Sequence, residues 1–170
     1  MTTYNIMLSS INDVKNFVNI VTKYDYEIVF FDDGSTDGSK AKIEELCNKA
    51  CSLMDKLGLH FRLSKLAAGD CSASMARTYD VEVWIPSMGI YKEVSSVSNA
   101  RDYQARRNNS KYRDSKTGKT AFVHTLNGSG LATSRVFPAL VEQYQNADGS
   151  ITIPEVLRPF MGGQEIIKLK

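Results

Sequence analysis

A chain of 170 residues and 18.9 kDa suits one domain of ordinary size, or one domain and a fragment, with a core of its own. Its 42% hydrophobic and 24% charged residues are close to the globular average, which excludes a low-complexity chain. A formal charge of +2 carries no global electrostatic signal, so contact with nucleic acid would require a local basic patch.

The opening TTYNIMLSS lacks the cationic start and long apolar run of a secretion signal. No apolar stretch approaches the roughly 20 residues that span a bilayer, so a cytoplasmic location is expected. Ile6-Met7-Leu8 is a short apolar run, and Ser10 followed three residues later by Asp13 is a capping pattern. Ile11, Val14, Phe17, Val18 and Val21 then recur at helical spacing. Ile28-Val29-Phe30-Phe31 is β-branched and aromatic, as a buried strand requires. The front of the chain therefore reads strand, helix, strand.

Ile43, Leu46, Cys47, Ala50, Leu53, Met54 and Leu57 mark one face of a second helix, with Gly58 as its left-handed stop. From His60 the pattern changes to HFRLSKL, YDVEVWIP, IYKEVSSV and TAFVHTL, strand-like runs separated by turns, which predict an antiparallel sheet. Gly130 to Gln143 returns to helix with Leu131, Val136, Leu140 and Val141 inward, and Pro154 and Pro159 break the tail into short pieces. The order predicts an α+β fold.

The stretch FFDDGSTDGSK, residues 30–40, admits three readings. With Asp33 at position 1, Ser35, Asp37, Gly38 and Glu44 fall at positions 3, 5, 6 and 12 of a calcium loop, but a strand precedes it where a helix is needed. It also resembles the nucleotide-binding turn of inverting glycosyltransferases that use nucleotide sugars, with Asp32, Asp33 and Asp37 as the acids concerned. The third reading is a plain turn, made by Gly34 and Gly38, with Asp37 or Ser39 capping the helix that follows.

Three cysteines, Cys47, Cys51 and Cys71, are an odd number and too few for a disulfide framework, so reduced thiols are expected. Cys47 and Cys51 share a helix face, but His60 and His124 stand at no recognisable zinc spacing. Arg101, Arg106, Arg107, Lys111, Arg113, Lys116 and Lys119 are interleaved with Tyr103 and Tyr112. Such a segment reads either as a grip on an RNA acceptor end or as a solvated hairpin diluted by Asp102 and Asp114.

The denser signal is YDVEVWIPSMGIYKEVSSVSNARDYQARR followed by FVHTLNGSGLATSRVFPALVEQYQNADGSITIPEVLRPFMGG. From about Glu45 to nearly the end, the chain resembles the C-terminal part of the catalytic core of seryl-tRNA synthetases, with an antiparallel sheet and flanking helices of the class II type. The resemblance implies ATP and Mg2+ contacts at Glu93-Val94-Ser95-Ser96, with Glu93 and Ser96 as metal ligands. It implies that Arg135 of motif 3 meets the ATP phosphates and acts in catalysis, and that Asn127 and Ser129 face the substrate L-serine. From spacing alone, an exposed strand edge would be the simpler reading of Glu93 and Ser96. Alternation places Glu93 and Ser95 on one face and Ser96 on the other, so a bend is needed. Gly128 and Gly130 read as positions where the backbone passes close to a ligand.

The resemblance implies tRNA(Ser) as a partner and a homodimer, yet this sequence lacks motifs 1 and 2, the N-terminal helical hairpin, the Thr-x-Glu loop and the later serine-selecting glutamate. Residues 5–28 resemble the first strand and helix of phosphocarrier domains, and residues 26–39 the glycosyltransferase turn. The expectation is a composite segment over 1–42 and a partial synthetase core over 43–170, with impaired serine-tRNA ligase activity. Nucleotide-sugar binding at the turn, or a non-catalytic fragment, is the alternative.

Overall fold

A computed structural model describes residues 27–32 and 39–168, with side chains from residue 41. The first strand and helix expected from Ile6 onward lie outside the described residues, as does the 33–38 turn. Asp33, Gly34, Asp37 and Gly38, on which the three readings of that turn depend, lie there with it, while Ser39 is the first residue of the helix that follows.

Strand β1 (Glu27–Asp32) is the β-branched and aromatic run foreseen, and helix α1 (Ser39–Lys56) follows. Ile43, Cys47, Ala50 and Met54, spaced four, three and four apart, form its buried stripe. The helix ends at Gly58, whose φ of 63° is the left-handed conformation that only glycine adopts at no steric cost. The boundary expected between residues 42 and 43 falls inside this helix.

Strands β2 (Phe61–Lys65), β3 (Arg77–Ile85) and β4 (Ile90–Arg101) follow, then helix α2 (Tyr103–Asn108), strands β5 (Lys111–Arg113), β6 (Thr120–Phe122) and β7 (His124–Ser129), and helix α3 (Thr133–Gln143). The run TAFVHTL is thus two strands broken at Val123. The first half pairs with β5 in a separate hairpin, and the second enters the main sheet. Phe122 explains the break, since Arg106 and Lys111 each stack on its ring at 4.8 Å and hold it in the hairpin. The tail holds short strands β8 (Ile151–Thr152) and β9 (Ile166–Ile167), paired across a 3₁₀ segment (Glu155–Met161).

The main sheet has the order β1-β7-β4-β3-β2, antiparallel throughout. One face carries Val81, Val83, Ile85, Val97 and Leu126, all buried, and is covered by α1 and α3. The helix expected from Gly130 begins at Thr133: on it Val136 and Ala139 are buried and Leu140 packs partly buried against the core, as does Leu131 from the segment just before it, while Val141 is half-buried and outside that cluster. Because all of this apolar surface lies on one side, the other face is free to be polar, and the candidate site is there.

Candidate functional site

Cross-strand partners point to the same side of a sheet, so register places the polar residues. Asp80 faces Ser96, Thr78 faces Ser98, and Glu82 faces Glu93; Ser98 in turn faces Asn127 on β7. Period two along β7 adds Thr125 and Ser129 to this face.

The bend that alternation demanded is a β-bulge. The register between β3 and β4 shifts between Val81, opposite Ser95, and Glu82, opposite Glu93, leaving Val94 as the extra residue. Val94 turns into the core, fully buried, so Glu93 and Ser96 share the polar face although they are three residues apart. The carbonyl of Val94 does not stay unpaired: the Ala132 N–H donates to it at 2.6 Å. The bulge is therefore tied to the entrance of α3, three residues before Arg135.

Arg135 sits in the first turn of α3, its Nη1 donating to the Glu93 carbonyl at 2.9 Å and lying 3.6 Å from Glu93 Oε2. About half of each side chain is exposed, 54% and 45%, so the ion pair adds little stability of its own. Its effect is geometric, because one nitrogen is anchored while the rest of the guanidinium fork faces outward. Ser129 is held from two sides: Ser95 Oγ donates to its carbonyl at 2.7 Å, and the Ser96 N–H donates to its Oγ at 3.1 Å. Asn127 is buried and gives one long hydrogen bond, 3.8 Å, to the Met75 sulfur, a weak acceptor that leaves the amide with capacity to spare. The structure thus brings Glu93, Val94, Ser95, Ser96, Asn127, Ser129 and Arg135 together around the junction of β4, β7 and α3.

Gly128 behaves differently from the expectation. A Cβ on Gly128 would lie 2.8 Å from Leu46 Cδ2, so this glycine admits helix α1 to the sheet rather than a ligand. A Cβ on Gly130 would meet nothing within 4 Å. A cleft of about 550 Å³ opens between the β3–β4 turn and α3, with Lys92, Glu93, Arg135 and Glu142 as charged lining. It meets the polar face only through Glu93 and Arg135. Glu142 is occupied there, accepting from the Ser87 N–H and Oγ at 2.8 Å each.

Elsewhere the basic segment is partly committed to its own structure. Arg106 pairs with Asp102 at 2.7 Å, Arg107 donates to the Tyr103 hydroxyl at 3.0 Å, and Asp114 accepts from the N–H groups of Lys116 and Thr117. Cys47 faces the core with Cys51; burial, with the charges of Cys51 and Glu44, pushes its thiol up to about 11. Among the described residues no three of His, Cys, Asp and Glu gather as a metal cage, and no helix is long and apolar enough to cross a membrane.

Sequence reasoning missed Asp80 and Glu82 of YDVEVW. Burial works against the charge of Glu82, but hydrogen bonds from Arg62 at 2.6 Å and Ser64 at 2.8 Å, with the Arg62 charge, hold its carboxyl below the usual range. The alternation DVEVW was the available signal, since it must send both acids to the face opposite the core.

The profile of the tRNA synthetase class II core domain (G, H, P, S and T) matches residues 22–144. The chain belongs to this family. The class II match starts ahead of β1, and β1 pairs along its whole length with β7, so strand and profile both reach in front of residue 43. Over 140 residues the chain is 60% identical to Serine--tRNA ligase 2 of Clostridium acetobutylicum, an alignment covering 82% of this chain and 33% of that one. The fold is similar to a seryl-tRNA synthetase from Pyrococcus horikoshii complexed with ATP, at a TM-score of 0.78 and 35% identity, covering 86% of this chain and 32% of that one. A cytoplasmic serine-tRNA ligase from Naegleria fowleri in complex with AMP gives a TM-score of 0.78 at 33% identity, covering 86% and 34%. The chain spans about a third of the length of these class II relatives.

Proposed function

We propose that the chain is the part of a serine-tRNA ligase core that binds ATP and faces serine. The reaction it serves joins serine and ATP to give seryl-adenylate and pyrophosphate, then passes the seryl group to the end of tRNA(Ser). The bulge at Val94 carries this reading. It sets Glu93 and Ser96 side by side and fastens them, through the Val94 carbonyl and Ala132, to the helix that holds Arg135.

The residues suit Mg2+. A carboxylate and a hydroxyl on one face are hard oxygen donors, leaving the remaining positions to water and phosphate oxygens. Bound there with ATP, the ion would supply charge neutralisation along the triphosphate. Arg135, fixed at one nitrogen on Glu93, offers its outward N–H groups to the phosphates without having to reorganise, which is how a preformed donor lowers the barrier as pyrophosphate leaves. Ser129 and the buried amide of Asn127 hold serine from the β7 side.

An isolated chain of this length is proposed to bind ATP and to aminoacylate poorly, because adenylate formation depends on donors placed together around one transition state. Cytoplasmic location and dimer formation belong to the same proposal.

A thermal-shift series with ATP, Mg2+ and a seryl-adenylate analogue tests the reading. Ligand at 100 times its Kd adds about 2.7 kcal/mol, or roughly 5–10 °C for a domain of this size. Wild type is expected to shift by that order and Arg135→Ala by markedly less. Equal shifts in both proteins, or none in either, would refute the site.

A further inference from the structure

The polar face of the sheet holds a charged group with no task so far. Asp80 lies on β3, 8% exposed, across from Ser96 on β4 and Ser64 on β2. The acids beside it have cations: Glu82 pairs with Arg62 at 2.6 Å, and Glu93 with Arg135 at 3.6 Å. The hydroxyls of Thr78 and Ser98 satisfy each other at 2.8 Å. Asp80 has no ion pair among the described residues, and its buried Oδ1 has no hydrogen-bond partner. Burial pushes its carboxyl above the usual range, and the Ser96 side chain, its partner across the ladder, works against that rise while the charge of Glu82 adds to it.

A buried carboxylate left in this state is costly, and an orphaned oxygen on a face built for a ligand points to what the ligand brings. Glu82 and Glu93 each lie beside an arginine, so Asp80 is the acid of the three with no cation next to it among the described residues. A serine hydroxyl has one proton to donate and two lone pairs. If the proton is engaged by a carboxylate on the sheet side, both lone pairs are left for a cation on the open side.

Resting on the reading above, we propose that Asp80 is a positioning residue for cation binding. It accepts the hydrogen bond of Ser96 Oγ, turning that oxygen toward the cation carried with ATP, and its free Oδ1 accepts from a water on the same cation. Outer-shell partners of this kind typically change metal affinity 10- to 100-fold when removed.

The test measures ATP binding by calorimetry while Mg2+ is titrated, in wild type, Asp80→Asn, Asp80→Glu, Ser96→Ala and the Asp80→Asn/Ser96→Ala double variant. Asp80→Asn is expected to weaken the Mg2+ dependence at least about tenfold, with ATP binding in the absence of metal and the unliganded Tm both maintained. Asp80→Glu should recover part of the loss. In the Ser96→Ala background, Asp80→Asn should cost clearly less than it does alone, the mark of two residues acting through each other. An unchanged Mg2+ midpoint in Asp80→Asn overturns this proposal alone. So does parallel loss of metal-free ATP binding and of Tm, which would make Asp80 purely structural. Absence of metal-dependent ATP binding in wild type overturns the ligase reading together with this one.

Discussion

Gly128 offers a sharp test of how the site is held, because its neighbours in the strand are Asn127 and Ser129. Replacing it by alanine places a methyl carbon 2.8 Å from Leu46 Cδ2 and 2.9 Å from Leu46 Cγ, distances that real Cβ atoms do not show. Leu46 or helix α1 must move, and overpacking of this kind costs about 1–3 kcal/mol. At roughly 2–4 °C per kcal/mol for a domain of this size, the expected fall in Tm is about 2–12 °C. Gly130→Ala is the matched control, with open space around its Cβ, and is expected to stay within about 0.5 kcal/mol. Urea denaturation of both variants, alone and with Leu46→Ala, separates the causes. In the Leu46→Ala background Gly128→Ala should become nearly neutral, since the methyl then fills space that leucine vacated. Equal cost in both backgrounds, or a Gly130→Ala loss as large as that of Gly128→Ala, would refute the argument that helix packing selects this glycine.

Two further outcomes follow from the charged and thiol groups. Glu82, held below the usual carboxylate range by Arg62 and Ser64 against the opposing effect of burial, contributes stability that is present above its unfolded pKa. That contribution is lost as pH falls through its lower folded value. Glu82→Gln should therefore destabilise the protein at neutral pH and give a flatter acid limb in a Tm-against-pH profile; parallel limbs would contradict this. Cys47, with its thiol pushed up to about 11, should resist alkylation at pH 8, where about one molecule in a thousand carries the thiolate. Mass spectrometry after iodoacetamide treatment should find Cys71 modified first, and early modification of Cys47 in the folded protein would oppose the assignment.

What could be read along the chain was whatever repeats locally. The stripe Ile43, Cys47, Ala50 and Met54 announces α1, Gly58 its end, and the alternating runs the sheet, because helix and strand periods are properties of consecutive residues. The synthetase motifs were legible for the same reason, being contiguous phrases. Strand pairing is not local: the division of TAFVHTL at Val123 depends on Arg106 and Lys111 arriving at Phe122 from other elements. Nor does spacing show why Gly128 is a glycine, since Leu46 comes from a helix more than 80 residues earlier.

The site divides along the same line. Sequence by itself determined which residues carry oxygen and nitrogen donors, namely Glu93, Ser96, Asn127, Ser129 and Arg135, and it required a bend somewhere in EVSS. Tertiary structure decided where the bend falls. A bulge is a property of two strands, existing only when β3 is laid against β4, and it alone turns a three-residue spacing into a shared face. The same pairing brought Asp80 opposite Ser96 and left its Oδ1 unpartnered among the described residues, a relation between strands that neither strand contains in its own sequence.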